Sequence, residues 1–390
     1  MRVKHYHVVV IGAGLVGTAC ALALEKLGLQ VALIDPHPAA EPAYDWDTRI
    51  YAISPGSQRL LEHLGAWQQM DSARIQAVYR MRVHGDEAGA ITLDSYDSGV
   101  ERLASILEST RLQWALWQKA KEAPNVDVMS PARVKRLSLQ RPHSRLALED
   151  ARELESELIV GADGRESWVR QQAGIQPRIE SYGQLGVVAN FEVGKNHQGT
   201  AFQWFRADGV LAWLPLPGKR MSMVWSTPED HGQELLALDA NALGERVAAA
   251  GVNLLGKLTL LTAAAGFPLR LMKLPEICRP GLVLVGDAAH GVHPLAGQGV
   301  NLGFGDVDSL AHTLSNRGRA DCGDMRILAA HARARAEPVL SMQLVTDNLH
   351  RMFANQGKLS GTLRNSGMSL LDGLPFAKSA LVREALAITN

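Results

Sequence analysis

The first thirty-five residues constrain the fold more than any other stretch. His7–Ile11 (HVVVI) is an apolar run of strand length, Gly12-Ala13-Gly14-Leu15-Val16-Gly17 follows without a spacer, and Ala19–Leu27 has helix-forming composition. Val31–Ile34 is a second apolar strand, and it ends in Asp35. Strand, GxGxxG turn, helix and strand make a βαβ unit whose glycines let the backbone turn tightly and lie close to a pyrophosphate on the helix N-terminus. Asp35 follows Gly17 at the distance expected of a carboxylate that accepts a ribose hydroxyl. Gly12, Gly14, Gly17 and Asp35 are therefore candidate cofactor contacts.

A second stretch carries as much chemistry. Leu282–Asn301 reads LVLVGDAAHGVHPLAGQGVN: a short buried strand, then Gly286-Asp287 at its carboxyl edge, where ligands bind in open α/β sheets. Pro294, Gly297 and Gly299 form a loop able to lie against a flat ligand, and a helical pattern begins near Gly299. Such a helix points free N–H groups and the positive end of its dipole at the loop, which suits a ligand that becomes anionic. A third fragment, Gly161-Ala162-Asp163-Gly164-Arg165, closes the strand Leu158–Val160 and precedes a helix that begins at Ser167. Alone, an Asp-Gly pair would signal only a turn.

Together these fragments resemble the ubiquinone-biosynthesis flavin hydroxylases, a branch of the single-component FAD-dependent aromatic hydroxylases typified by p-hydroxybenzoate hydroxylase. The resemblance spans nearly the whole chain and is weakest in the central sheet and the tail. It implies an α/β fold: a Rossmann-like FAD-binding domain of glutathione-reductase type, an inserted antiparallel β-sheet substrate domain, and a helical C-terminus. It also implies that Arg49, ahead of Ala52-Ile53-Ser54-Pro55, and Arg111 reach the cofactor, that Val134 lies with them, and that Asp163 and Gly164 contact flavin and NADPH jointly. Gly286 and Asp287 would hold the ribityl chain and Asn301 a ring-edge carbonyl. The Gly297-Gln298-Gly299 backbone would stabilise flavin charge.

Composition narrows the function classes. A chain of 390 residues suggests two or three structural units. Forty basic and forty acidic residues cancel, so no overall field argues for nucleic acid or an anionic membrane. Three scattered cysteines, Cys20, Cys278 and Cys322, support neither a disulfide framework nor a zinc site, and a reducing cytoplasm fits. No signal-peptide pattern or long apolar run is present, so membrane contact is expected to be peripheral, at the inner membrane, at most.

Between the motifs, Ser54-Pro55 is placed to cap a helix carrying Leu60, Leu61, Leu64 and Trp67, and Arg111 begins a second helix. Residues 76–100 read as inserted strands, and Val126–Met129, Val134–Leu139 and Leu146–Leu148 as a small meander. From Gln184 to Ser226 four short strands predict an antiparallel sheet, with Met221, Met223 and Trp225 on one face by alternation. Trp204, Trp213 and Trp225 could, with Pro294, wall an aromatic pocket, but core packing is the favoured reading since buried tryptophans are usually structural. Glu234–Ala250 reads as one covering helix. The cofactor part is thus discontinuous, 1–76, 101–180 and 266–390, with 77–100 and 181–265 as a β-rich substrate domain. The tail from Pro375 to Asn390, with Phe376, Leu381, Leu386 and Ile388 among charges, is amphipathic and could dock on its own domain, a partner subunit or lipid.

There is one dinucleotide fingerprint and no redox cysteine pair, unlike the disulfide reductases of related architecture, and the resemblance implies NADPH or NADH as a visiting reductant. The resemblance implies that reduced FAD reacts with O2 to form a C4a-hydroperoxide, which hydroxylates a hydrophobic prenylated phenol or quinol in ubiquinone biosynthesis. No catalytic base is assigned. His290 and His293 lack a third ligand for a metal, so none is expected, and either could instead tune a substrate phenol. Hydroxylation of another aromatic metabolite and a noncatalytic scaffold role remain the competing readings. A flavin halogenase is disfavoured, since Leu211-Ala212-Trp213-Leu214-Pro215 supplies one tryptophan of that group's WxWxIP signature. Association with other biosynthetic subunits or a homo-oligomer is compatible with the sequence.

Overall fold

A computed structural model describes residues 3–85, 89–140, 142–291 and 299–354, with side chains to residue 344. The first sheet is built on parallel strands in the order Val126–Met129, Val31–Ile34, Lys4–Ile11, Glu153–Gly161 and Leu282–Leu284, with Cys278–Arg279 antiparallel at one edge. Both faces are covered. Val8 and Val10 pack with the helices Leu15–Glu25, Ser109–Glu122 and Gly299–Ser315, while Val9 and Ile11 pack on the opposite side with Leu146, Leu154 and Val169. Two buried faces explain why the strands read as continuous apolar runs rather than alternating ones.

Val126–Met129 departs from the expected meander. It follows the helix Ser109–Glu122 and therefore returns parallel to Val31–Ile34, leaving Val134–Ser138 and Ser144–Leu148 as antiparallel additions beside Glu153–Gly161. A three-stranded sheet joins Gln76–Val78, inside the stretch expected to form inserted strands, to Ala104–Glu108 and Ile50–Ile53, where no strand is expected from the sequence. Three to five apolar residues flanked by charge give too little pattern to distinguish such strands from loop.

The second sheet runs Leu258–Leu260, Arg178–Val193, Arg220–Pro228, Gly209–Leu216, Thr200–Arg206, Arg80–His84 and Ala90–Asp94. Strand Ala265–Lys273 also pairs along Arg178–Val193, so the compositional boundaries at residues 181 and 266 cut through two continuous strands. Two helices, Glu229–Ala237 and Ala240–Ala250, replace the single one expected. Leu238 is extended, and the Asp239 side chain accepts from Asn241 N–H and Ala242 N–H at 2.9 Å, capping a fresh start. After Gly299–Ser315 the chain continues into Met325–Ala354. No helix among the described residues is long and apolar enough to cross a membrane. The amphipathic tail lies outside the described residues.

Candidate functional site

The parallel strands end in register. Ile11 stands opposite Ile34 and Gly161, and Gly161 opposite Leu284. The turns that follow, Gly12–Gly17, Ala162–Gly164 and Val285–Asp287, together with Asp35, therefore leave the sheet at one edge, the edge where such sheets bind ligands.

The first turn is shaped by its glycines. Gly12 has φ +104°, and a Cβ there would lie 2.4 Å from the Ala162 carbonyl oxygen; at Gly17 it would lie 1.9 Å from that of Gly12. Gly14 differs. Among the described residues, no atom beyond its chain neighbours lies within 4 Å of where its Cβ would be, no side chain caps the helix it starts, and no acid stands in the first turn. The open surface and free N–H groups fit an anionic group such as a dinucleotide pyrophosphate. Asp35 accepts from Ala13 N–H at 2.6 Å and from His37 N–H at 2.8 Å, which leaves lone pairs for a hydroxyl donor. Val134 lies near this end, two residues beyond Ala132, whose N–H donates to the Asp35 carbonyl at 2.9 Å. Gly164 and Gly299 are as open as Gly14. These cradles fit FAD.

The arginines differ from one another. Arg49 is exposed, and its guanidinium has no protein partner among the described residues. Its loop is nailed down: the Asp47 carboxylate accepts from Arg49 N–H and Thr110 N–H, Asp47 N–H donates to Glu108, and Asn190 Nδ2 of the second sheet donates to the Asp47 carbonyl at 2.8 Å. Arg111, by contrast, is committed to the protein. Its Nε donates to Glu108 at 2.9 Å and its Nη2 to the Ala43 carbonyl at 3.0 Å. Glu108, 1% exposed, also binds Arg74 through two hydrogen bonds of 2.7 and 2.8 Å. Neither Glu108 nor Arg74 was singled out from the sequence. The available signal was an acid closing the apolar strand Ala104–Glu108.

Asp163 is similarly occupied. It accepts from Ser167 Oγ at 2.5 Å and Val169 N–H at 3.0 Å, and so starts the helix Trp168–Gln172. The buried Arg170, also missed, joins this turn to the next, donating to the carbonyls of Arg165 at 2.8 Å and Ala288 at 3.0 Å. Asp287 is exposed beyond Gly286, and its carboxylate accepts no hydrogen bond among the described residues. Half-buried Tyr51 lies within electrostatic reach of both Asp287 and Arg49. Burial pushes its phenol pKa up.

Four further candidates have partners within the protein. The Asn301 carboxamide donates to the Ala52 carbonyl at 2.8 Å and accepts from Ser54 N–H at 3.0 Å, tying the helix start to the strand Ile50–Ile53. His290 is buried with Nε2 2.6 Å from Asp306 Oδ2, which removes that nitrogen from substrate chemistry. Burial disfavours the imidazolium, but the charge and hydrogen bond of Asp306 outweigh it and raise its pKa. Trp204 and Trp213 lie on the helix-covered face, with ring centroids 4.7 Å apart, and Trp213 is pressed against Gly251 at the end of Ala240–Ala250. They are core, not pocket wall, because alternation assigns them a shared face but the covering helices decide which face is filled. His293, Pro294, Gly297 and Gln298 lie outside the described residues.

Comparison with known proteins places this architecture. Residues 5–343 match the family described as FAD binding domain. The chain is 32% identical to the ubiquinone biosynthesis monooxygenase COQ6 of Drosophila melanogaster, over 98% of this chain and 90% of that one. It is likewise 32% identical to the 3-demethoxyubiquinol 3-hydroxylase of Escherichia coli, over 98% of each. The fold matches that of p-nitrophenol 4-monooxygenase PnpA of Pseudomonas putida with a TM-score of 0.80 at 16% identity, over 99% of both chains. With the open glycine cradles and uncapped helix on the same edge, these relationships establish that the chain belongs to the FAD-dependent hydroxylases of ubiquinone biosynthesis.

Proposed function

We propose that the chain hydroxylates the ring of a neutral, prenylated phenol or quinol, drawing electrons from NADPH or NADH and oxygen from O2. The observation that carries this reading is the inner face of the second sheet. Val188, Val224, Ala212, Gln203 and Val83 stand side by side across five adjacent strands. Val188, Val224 and Ala212 are half-buried although their strands are interior to the sheet, whereas Val187, Trp225 and Leu211 on the helix-covered face are fully buried. The inner face therefore borders open space. Along this row the only polar side chain is the Gln203 amide, and there is no charge. Such a wall suits an isoprenoid-bearing ring with a hydroxyl to orient, while an aromatic carboxylate would need a cation there.

In this reading 1–76, 101–180 and 266–390 form the cofactor-binding part with its C-terminal helices, and 77–100 with 181–265 form the substrate layer. Asp35 would accept a ribose hydroxyl, the helix start at Gly14 the pyrophosphate with Arg49 alongside, and Asp287 the ribityl chain. The helix start at Gly299 would face charge on the ring system, together with the loop that carries Pro294, Gly297 and Gln298. Arg111, Asp163 and Asn301 act at one remove, by fixing the turns that carry these groups. FAD, once reduced, supplies the chemistry that activates O2. The protein orients the substrate ring and keeps water out, and a quinol needs no added base because its own oxygens activate it.

Incubating the FAD-loaded protein with NADPH or NADH, a short-chain prenylated phenol and heavy-isotope O2 tests this. One labelled oxygen on the ring is the expected product. Labelled product from an aromatic acid, with only peroxide formed from the prenylated phenol, would overturn the substrate assignment. Bound FAD that neither nicotinamide reduces would overturn the reductant.

A further inference from the structure

The Gly286–Asp287 turn is supported from beneath by largely buried charged side chains. Asp306, 1% exposed on the helix Gly299–Ser315, accepts from Gly286 N–H at 2.8 Å and lies 2.6 Å from His290 Nε2, both through Oδ2. Its Oδ1 accepts from Arg335 Nε at 2.7 Å, and Arg335 Nη2 donates to the Leu302 carbonyl, one residue beyond Asn301, at 3.1 Å. The helix has little slack in this position: a Cβ on Gly303 would lie 2.5 Å from Val16 and one on Gly305 3.0 Å from Arg335.

We propose that Asp306 is the positioning residue of the cofactor site, locking the Gly286–Asp287 turn and the helix start at Gly299 into one fixed relation through His290 and Arg335. The two features it joins are of opposite sign. Asp287 presents an anion and the helix N-terminus a positive dipole, and a flavin lying across both would need them at a set separation. An asparagine at 306 keeps the shape, but one neutral amide cannot serve the Gly286 N–H, His290 and Arg335 together, so at least one buried donor loses its partner. The turn or the helix start then shifts to find another. The inference rests on the reading that Asp287 faces the cofactor.

The test compares Asp306→Asn with Leu314→Ala, a fully buried change near the far end of the same helix that damages packing without touching the turn. FAD affinity is read by quenching of flavin fluorescence, the environment of the bound ring by its visible circular dichroism, and fold damage by the apo-protein Tm. Asp306→Asn is expected to weaken FAD about tenfold or more and to change the dichroism at saturation, while Leu314→Ala lowers Tm with affinity within about twofold of the parent. Unchanged affinity in Asp306→Asn, or an equal loss in Leu314→Ala, overturns the proposal. If Asp306→Asn yields no folded protein, His290→Gln, which keeps the Asp306–Arg335 pair, is expected to weaken FAD several-fold, and an unchanged value overturns it. Asp287→Asn separates the underlying reading. If that variant binds FAD normally, Asp287 does not face the cofactor, whereas a weakened Asp287→Asn beside a normal Asp306→Asn refutes the positioning role alone.

Discussion

Two of the glycine-containing turns at the cofactor edge do related work by different physics. Gly12–Gly17 is held by backbone: Gly12 N–H donates to the Ile34 carbonyl at 2.8 Å, Ala162 N–H to the Ile11 carbonyl at 2.8 Å, and missing side chains allow the chains to touch. The one charge involved, Asp35, is partly exposed. Gly286–Asp287 instead stands on a buried ionic cluster of Asp306, His290 and Arg335. A turn made by close approach is rigid because an atom added at Gly12 or Gly17 collides with backbone. A turn made by buried charge is rigid only while each charge keeps its partner, which makes it sensitive to pH and to substitutions far along the chain.

The largest effect that separates them is expected from Gly17→Ala. Its Cβ would lie 1.9 Å from the Gly12 carbonyl oxygen, so the first strand and helix must move apart, at a cost of at least about 4 kcal/mol by urea unfolding. A loss below about 1 kcal/mol would show that the turn is not tightly determined and erase the contrast.

The second turn should respond to pH in both directions. Burial alone would raise the Asp306 pKa, but His290, Arg335 and Gly286 N–H bring it from 3.8 down to about 2. Its contribution is therefore complete above pH 4 and is lost as the pH falls toward 2, on the order of 2 kcal/mol. His290 is shifted upward, so its contribution is complete below its unfolded value of 6.5 and disappears as the pH rises through the raised one. Buried His331, lowered to about 4, acts oppositely: the unfolded chain takes up the proton first, and stability falls as the pH drops from 6.5 to 4. Urea titrations from pH 2 to 9 should show both limbs in the parent. His290→Gln should flatten the alkaline one and His331→Phe the segment between 6.5 and 4. Limbs of the same shape in all three proteins would contradict the cluster's role.

The same contrast explains what the sequence disclosed. The first turn, Asp35, the helix start at Gly299 and the alternation of Met221, Met223 and Trp225 are local patterns, written within about thirty residues. The cluster is not local: Asp306 stands twenty residues beyond Gly286, and Arg335 twenty-nine beyond Asp306. A trace was present, since Asp306 interrupts the apolar stripe of Leu302 and Leu310, and His331 and Arg335 continue that of Leu328. A polar residue at a core position marks a buried network, but nothing in its own helix names the partner. Asn301 illustrates the same limit. Its type and place in the motif suggested a ring contact, while its bonds to Ala52 and Ser54 depend on a strand some 250 residues away. For Trp204 and Trp213 the missing information was which side of the sheet the helices cover.

Gly14→Ala should have the smallest effect on the fold and the most selective one on function. Gly14 has φ −69°, which alanine adopts without strain, and among the described residues its Cβ would meet no atom beyond its chain neighbours within 4 Å. Alanine is a poorer N-cap than glycine but also narrows the unfolded ensemble, so the net change in apo stability should stay within about 1 kcal/mol. The space its methyl would enter is the space above the uncapped N–H groups, where a pyrophosphate must come close. FAD affinity is therefore expected to fall by about tenfold or more while the apo-protein Tm barely moves, the reverse of Gly17→Ala, where both are lost. Three glycines in one motif would then be divided by measurement into two that build the turn and one that leaves room for the ligand. A Gly14→Ala protein that binds FAD as tightly as the parent would place the pyrophosphate elsewhere on this edge.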